Sequence, residues 1–418
     1  MKALDVDGFS THWQSLKQSF PELGQTQFFI GLSGGLDSTT LVHLLFQILP
    51  VEEHSRITLV YVHHGLQSDA DRWLEQTQAF AQQLALTYRA VHVNTQAKAG
   101  QSPEEAARDA RYTAFSELLS PGDFLFTAHH QDDQAETVLL QLMRGAGPVG
   151  LSGMPVSRRL GEGQLLRPLL PWAREQLEIY ARRHQLSWVE DPSNADTRFD
   201  RNFVRRQILP LLKSRWPAAS SLIQRSAAHC ASAQIELDVH VSIQLKKILD
   251  VKRDCIPVPA LIEMGEVSAM QLLLAWCRLR QCDLPSTAHL ERVWRDILFA
   301  EVDRQPEVSW GGMAMRRYQG QVYLMPRELP LSLSGEYCWS RGEDLEVEDW
   351  GRLSASRWPV KLDDVSELRV CFRSELMGRR HVKHWLQQHR VPPWLRDRSL
   401  FVLQDDEFIT LFVQPLSD

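Results

Sequence analysis

The chain has 418 residues, of which 44% are apolar, and a net charge of −6. This length allows two or three domains, and the composition is that of a globular protein with enough chain to bury a core. No uncharged apolar stretch reaches about 18 residues, so neither a membrane span nor a membrane partner is expected. The six cysteines form no C-x-x-C pair, which argues against a zinc module or a disulfide framework and favours a reducing cytoplasm.

Strands and helices are predicted to alternate over the first 200 residues. Strands are expected at 28–32, 57–63, 88–93 and 124–128, and helices at 38–49, 69–84 and 102–119. This alternation predicts an α/β fold with a doubly wound parallel sheet. Ligands of such sheets bind outside the carboxyl ends of the strands, so the polar residues that follow each strand are expected to converge.

A glycine-rich loop follows the first predicted strand and opens the first helix. It consists of Ser33, Gly34, Gly35, Leu36, Asp37 and Ser38. Glycines let the backbone approach an anion closely, and the helix N-terminus points free amides at it, so the loop is predicted to bind phosphate. It has neither the lysine of a Walker loop nor the spacing of a Rossmann fingerprint. Asp37 would repel a polyphosphate unless a cation lay between them, which implies Mg²⁺.

An acidic cluster, in the sequence HHQDDQAET at 129–137, follows the fourth predicted strand. If a helix starts near Asp132, then Asp132 and Glu136 share one face and Asp133 flanks it. These acids could hold Mg²⁺ or a cationic substrate. The alternative is that they only complement the helix dipole. Their place beside the phosphate loop favours a functional role.

Two arginine pairs are candidate phosphate ligands. Arg108 and Arg111 lie one helical turn apart, next to Tyr112, and could clamp a phosphate. The alternative is an exposed helix with a Glu104–Arg108 pair. Arg201 and Arg205 also share a helical face, and no acid follows them nearby, which suits an anionic ligand.

The second half of the chain changes character. Residues 218–300 are helical in composition, residues 308–325 predict a hairpin that turns at Gln319-Gly320, and residues 343–367 are acidic. Two segments are basic, 201–235 with six Lys or Arg and no acid, and 369–398 with eight Lys or Arg. Such patches attract a polyanion, although solvated helical faces are the alternative.

The domain boundaries follow from these changes. We expect an N-terminal lead at 1–24, a catalytic domain at 25–217, a mostly helical domain at 218–330, an acidic linker at 331–359 and a small α+β C-terminal domain at 360–418.

Seven motifs together resemble a known family. SGGLDS is similar to the PP-loop of the N-type ATP pyrophosphatases. HHQDDQAET, GLSGM, RPLL, DPSN, RNFVRRQILP and the late segment VKHWLQQHRVPPWLRDR resemble the tRNA(Ile)-lysidine synthetases. The resemblance runs from about residue 25 to the end and is weakest in the acidic segment. The loop after Phe372-Arg373 is shorter than is usual in that family.

The resemblance implies ATP-dependent ligation of free lysine to C2 of the wobble cytidine of a CAU-anticodon tRNA(Ile), through an adenylated tRNA. It also suggests a homodimer. Catalytic roles are expected for Asp37, Asp132, Asp133, Glu136 and Arg201, with Mg²⁺ at Asp37 and Asp133. tRNA contacts are expected from Arg108, Arg111, Arg205, Arg379, Arg380, Lys383, Arg390 and Trp394. The alternative is a PP-loop tRNA 2-thiolation enzyme, which needs a thiol or iron–sulfur site near the nucleotide, whereas the first cysteine here is Cys230.

Overall fold

The computed structural model describes residues 4–24, 26–64, 70–95, 103–190, 196–251, 253–301, 304–328, 333–359, 365–376, 381–405 and 407–413. The chain divides into two compact units, residues 1–235 and 236–418. Within the ranges above, no helix combines the length and the apolar character needed to cross a membrane.

The first unit contains the α/β sheet. Its strands are β1 (Phe28–Gly31), β2 (Ile57–His63), β3 (Thr87–His92), β4 (Phe124–Phe126), β5 (Ser157–Leu160) and β6 (Gly163–Leu166). Its helices are α1 (Val6–Ser19), α2 (Leu36–Ile48), α3 (Ala70–Gln83), α4 (Pro103–Leu118), α5 (Gln131–Met143), α6 (Pro148–Leu151), α7 (Arg174–Arg183), α8 (Asp200–Phe203), α9 (Leu209–Arg215) and α10 (Ala219–Ile248), the last of which continues into the second unit.

The sheet has the strand order β3-β2-β1-β4-β6-β5. Every neighbouring pair is parallel except β5 with β6. The predicted parallel α/β fold and its four strands are confirmed, and β5 and β6 are additional. The chain moves outward from β1 to one side and then returns to the other side at β4. The carboxyl ends of β1 and β4 therefore flank a topological switch point, where ligands of such sheets bind.

Helix α1 packs into the core of this unit. Trp13, almost fully buried, lies with its ring centroid 6.0 Å from that of Phe28 on β1 and 5.6 Å from that of Phe126 on β4. On the other face of the sheet, Phe115 of α4 lies close to Gly31. Both faces are covered, which is why these strands are continuously apolar. The segment 1–24, expected to be a lead, thus supplies part of the core. The sequence did not predict this packing, because a sequence pattern does not show which sheet face an early helix covers.

One continuous helical segment carries the second predicted arginine pair. A π-helical stretch, Val204–Ile208, joins α8 to α9. Such wide turns often occur at functional sites. The four residues of DPSN, which precede this segment, lie outside the described residues.

The second unit contains two subdomains. The first has α11 (Val258–Glu263), α12 (Glu266–Leu279), α13 (Thr287–Arg292) and a sheet of β7 (Cys255–Pro257), β8 (Glu307–Trp310), β9 (Met313–Tyr318) and β10 (Gln321–Pro326). The second has α14 (Val382–Gln388), a sheet of β11 (Glu336–Ser340), β14 (Glu367–Phe372), β15 (Ser399–Gln404) and β16 (Glu407–Val413), and a ribbon of β12 (Leu345–Val347) and β13 (Gly351–Leu353).

The predicted hairpin is confirmed, with β9 and β10 antiparallel around Gln319-Gly320. The acidic segment 331–359 is structured where it is described, which corrects the expectation of a linker. Strand β11 pairs with β14 across the 360 boundary, and Trp339 on it is buried. The charged residues of this segment are exposed, and the few apolar residues between them belong to the C-terminal core.

We expect Trp13→Ala to lower the free energy of unfolding of the first unit by about 3–5 kcal/mol, because it removes a buried indole that packs on two strands. Urea unfolding followed by far-ultraviolet circular dichroism measures this change. Trp216→Ala is the matched control, since Trp216 is 56% exposed and its loss should change stability by less than ~0.5 kcal/mol. Equal shifts in the two variants would contradict the packing role of α1.

Candidate active site

The glycine-rich loop joins β1 to α2 and leaves the first turn of that helix open. Gly34 has a φ of +80°, a left-handed conformation that favours glycine. Gly35 is the N-cap residue of α2 and provides no side-chain cap. Ser38 Oγ accepts a hydrogen bond from Ser33 N at 3.2 Å and donates one to Gly35 O at 3.1 Å, which fixes the loop. The amides of this turn can therefore bind an anion, as predicted from sequence.

Asp37 links this loop to α5. Its Oδ2 lies 3.5 Å from Nε2 of His130, the N-cap residue of α5. Its Oδ1 is buried and has no hydrogen-bond partner. A bound cation would satisfy such an oxygen, so this carboxylate fits a metal ligand beside the phosphate site.

His130 is buried between two carboxylates. Burial alone would lower its pKa, but Asp133, whose Oδ2 is 3.3 Å from Nε2, and Asp37 raise the pKa to about 9. His130 Nδ1 accepts a hydrogen bond from Asp133 N at 3.2 Å, so its Nε2–H faces Asp37 and Asp133 and holds α5 to the loop after β1. Sequence analysis gave it no role, and the only signal was its position directly before the helix.

Two acids of α5 bind the two arginines of the helical segment 200–215. Arg201 places Nη2 at 3.1 Å from Asp133 Oδ1 and Nε at 3.0 Å from Glu136 Oε2. Arg205 places Nη2 at 2.8 Å from the same Asp133 oxygen and Nε at 2.6 Å from Glu136 Oε1. Burial would raise the pKa of Asp133, yet His130 and Arg201 hold it well below its usual range. We call these four side chains the charge quartet.

The charge quartet corrects the expectation that Arg201 and Arg205 offer an unpaired face to an anion. No acid follows them nearby in sequence, but Asp133 and Glu136 come from 65 to 72 residues upstream. Two carboxylates neutralise two guanidinium groups. The arginines therefore hold the acids in place, and the quartet has no excess positive charge for RNA.

Asp132 lies outside the quartet and binds other groups. Its Oδ1 accepts hydrogen bonds from Lys213 Nζ at 2.7 Å and from Ser220 Oγ, and its Oδ2 accepts one from Arg174 N at 3.1 Å. Asp132 and Glu136 both line a cavity of about 250 Å³, as expected for acids at i and i+4. The other lining residues are Arg174, Glu175, Glu178, Arg205, Leu209, Pro210 and Lys213.

Tyr112 of α4 lies among four arginines. The guanidinium carbons of Arg158, Arg108 and Arg111 are 4.9, 5.3 and 5.9 Å from the centre of its ring, and the charge of Arg167 acts electrostatically on its hydroxyl. The predicted pair on α4 is thus one half of a larger cluster. Arg158 on β5 and Arg167 directly after β6 were not predicted, and the signal for Arg167 was its place at the carboxyl end of a strand.

Two histidines near this cluster have lowered pKa values. Burial and the charge of Arg111 lower the pKa of His64 to about 4. Burial also lowers the pKa of His129 to about 3, in spite of the opposite effect of Asp133. Arg111 acts electrostatically on both histidines, so the cluster adds positive charge near the ends of β2 and β4.

The predicted tRNA ligands of the last domain have different surroundings. Lys383 and Arg390 are exposed, whereas Arg379 and Arg380 lie outside the described residues. Trp394 was expected to face RNA, but its ring packs 6.0 Å from that of Tyr318 and 5.5 Å from that of Tyr323. It joins the two subdomains of the second unit. Pattern analysis missed this contact because a basic neighbourhood does not show which aromatic residue is internal.

Three family descriptions match the chain. A PP-loop domain matches residues 10–212, a TilS substrate binding domain matches residues 257–323, and a TilS substrate C-terminal domain matches residues 369–414. The chain is 38% identical over 398 residues to a tRNA(Ile)-lysidine synthase of Serratia proteamaculans, which covers 91% of this chain and 89% of that protein. It is 37% identical over 395 residues to a tRNA(Ile)-lysidine synthase of Methylococcus capsulatus, which covers 90% and 89%.

Among solved structures, a U34-tRNA thiolase of Methanococcus maripaludis is 17% identical. It covers 54% of this chain and 78% of its own, with a TM-score of 0.43. This distant likeness decides nothing about the activity.

We expect Glu136→Gln to lower the free energy of unfolding of the first unit by about 3–5 kcal/mol, because it removes a buried carboxylate that compensates two half-buried arginines. Thermal and urea unfolding measure the change. Glu162→Gln is the control, since Glu162 is exposed and its ion pair with Arg159 is long at 3.9 Å. A Glu136→Gln protein as stable as this control would show that the charge quartet does not hold the helical segment.

Proposed function

Because the chain belongs to the tRNA(Ile)-lysidine synthase family, we propose that it ligates lysine to C2 of the wobble cytidine of a CAU-anticodon tRNA(Ile) with consumption of ATP. The observation that supports this most directly is the open N-terminus of α2 next to the acids of α5, at the switch point between β1 and β4. ATP and an amine can react there with the same base.

The first step transfers adenylate to the base. Cytosine O2 attacks the α-phosphorus of ATP, the bond to the bridging oxygen breaks, and pyrophosphate leaves. The backbone amides of the loop from Ser33 to Ser38 hold the phosphates and stabilise the charge that develops on them. The adenylated oxygen at C2 then becomes a good leaving group.

A Mg²⁺ ion fits beside Asp37, whose buried Oδ1 has no partner. Bound there, Mg²⁺ would neutralise charge on the phosphates. Asp133, the other predicted ligand, fits less well. Its Oδ1 accepts from two arginines, and its Oδ2 accepts from His130 N at 3.1 Å. We therefore assign the metal to Asp37 and keep Asp133 as a structural acid.

The second step joins lysine to the base. The ε-nitrogen attacks C2, the C2–O bond breaks, AMP leaves, and the nitrogen loses a proton to a nearby carboxylate. We assign lysine to the cavity that Asp132 and Glu136 line. Lys213 places an alkylammonium on Asp132 at 2.7 Å, so this carboxylate suits such a group. Glu175, which also lines this cavity, adds a carboxylate that a cationic side chain can approach, which favours lysine.

Reconstitution tests the activity. The purified chain, ATP, Mg²⁺, labelled lysine and a CAU-anticodon tRNA should yield lysidine on nucleoside analysis. Ornithine should react poorly because its amine falls short of C2, and arginine should react poorly because its guanidinium is a weak nucleophile. Transfer of sulfur to the base, with no lysine incorporated, would instead support a thiolation enzyme. Sedimentation of the same preparation tests the homodimer that we also propose.

We expect Asp37→Asn to abolish pyrophosphate release and to preserve tRNA binding, because the change keeps the shape of the side chain and removes the charge that faces the metal. Pyrophosphate assays and filter binding on one preparation measure both effects. Asp7→Asn is the control, since Asp7 is an exposed acid in the first turn of α1. Near-normal pyrophosphate release by Asp37→Asn would rule out the role assigned to this carboxylate.

We expect the double change Lys383→Gln and Arg390→Gln to weaken tRNA binding and to leave ATP binding unchanged, because these exposed cations belong to the basic C-terminal surface. Each lost phosphate contact should reduce the salt slope of binding by about one unit. Filter binding across a salt series measures the slope. Arg369→Gln is the control, because Glu336 already neutralises Arg369 at 2.7 and 2.8 Å. An unchanged slope in the double variant would show that this surface does not contact tRNA.

A further inference from the structure

The arginines around Tyr112 come from three separate elements. Arg108 and Arg111 lie on α4, Arg158 lies on β5, and Arg167 follows β6. The guanidinium groups of Arg108, Arg111 and Arg158 lie within 5.9 Å of the centre of one aromatic ring, and the charge of Arg167 acts on the same tyrosine. Four like charges repel one another, so the fold holds them together at a cost in stability. Such an arrangement needs a compensating anion or a function that benefits from the field.

Among the residues that the structure describes, three of the four arginines lack the compensation that Asp133 and Glu136 give to the charge quartet. In the described part of the chain, Arg108, Arg158 and Arg167 form no ion pair with an acid. Arg167 is only 3% exposed and donates from Nη1 to Pro155 O at 2.7 Å. Its Nε is buried without a hydrogen-bond partner. A buried guanidinium donor with no acceptor is costly unless a ligand supplies the acceptor.

The cluster lies at the carboxyl edge of the sheet, which also carries the glycine-rich loop that follows β1. Arg167 follows β6, which pairs with β4, and β4 pairs with β1, which precedes the loop. Two strand spacings of ~4.8 Å separate β6 from β1. Arg167 and Arg111 also act electrostatically on His129, next to the N-cap of α5. The cluster is therefore close to the reaction centre but separate from the first turn of α2.

We propose that Arg108, Arg111, Arg158 and Arg167, arranged around Tyr112, form a second phosphate-binding site that holds a phosphate group of one of the enzyme's own substrates. Guanidinium forks match phosphate oxygens with paired donors. The phosphate belongs either to the tRNA backbone next to the reacting cytidine or to the distal phosphates of ATP. This inference rests on the proposed function, since it assigns the ligand from the two anions that the reaction uses.

The exposed member of the cluster gives the main test. Arg158→Gln removes one cation of the cluster without disturbing a buried side chain. Arg159→Gln is the matched control, because the neighbouring residue on a strand points to the opposite face, and Arg159 is bound to Gly161 O and Glu162 instead. The two variants have the same net charge and composition, so any difference between them comes from the site.

Two readouts distinguish the two sources of phosphate. If the phosphate belongs to tRNA, Arg158→Gln should reduce the salt slope of tRNA binding by about one unit and leave the KM for ATP unchanged. If it belongs to ATP, the KM for ATP and the inhibition constant of pyrophosphate should rise, and the tRNA slope should stay as in Arg159→Gln. Either result supports the site.

Arg167→Lys is the second variant, since it keeps the charge and removes the fork. It should shift the same readout as Arg158→Gln, and its far-ultraviolet circular dichroism should match that of the unmodified chain. If Arg158→Gln and a folded Arg167→Lys both behave as Arg159→Gln does, while the unmodified chain makes lysidine, the proposed site is wrong. If the unmodified chain makes no lysidine from any tRNA, the proposed function fails instead.

Discussion

A carboxylate that leaves water must find a partner, and Glu136, which has no exposed surface, finds two in Arg201 and Arg205. The cost of burying an unpaired charge at this depth is several kcal/mol. The helical segment 200–215 is therefore fixed against α5. Through Asp133 and His130, the same ionic contacts reach the loop that follows β1. The distances between the phosphate loop, the acids and the cavity all depend on this chain of buried ion pairs.

Charge compensation also separates the two arginine groups of the first unit. Arg201 and Arg205 are neutralised by acids and hold those acids in place. Among the arginines around Tyr112, Arg108, Arg158 and Arg167 form no ion pair with an acid in the described residues, so they add positive charge at the neighbouring edge of the sheet. A polyanion responds to this local field and not to the net charge of −6. An acidic protein can in this way still present a surface suited to RNA and ATP.

The strands, the helices and the turn at the glycine-rich loop were predicted well because their signals are local. Gly34 requires a backbone that only glycine adopts easily, and the strand and helix beside it have short-range signatures. Where a side chain packs is not local. Trp394 lies in a basic segment and yet contacts Tyr318 and Tyr323, and Trp13 precedes the sheet in sequence and yet belongs to its core.

The sequence by itself determined the parallel α/β fold, the glycine-rich loop with Asp37, the acidic start of α5 and the family resemblance, because each depends on residues that are close along the chain. Only the tertiary structure decided which charges are neutralised. Asp133 meets Arg205 across 72 residues, and Arg158 joins Tyr112 from another strand. Coulomb energy depends on distance in space and on burial, and neither quantity is written in the separation of two residues along the sequence.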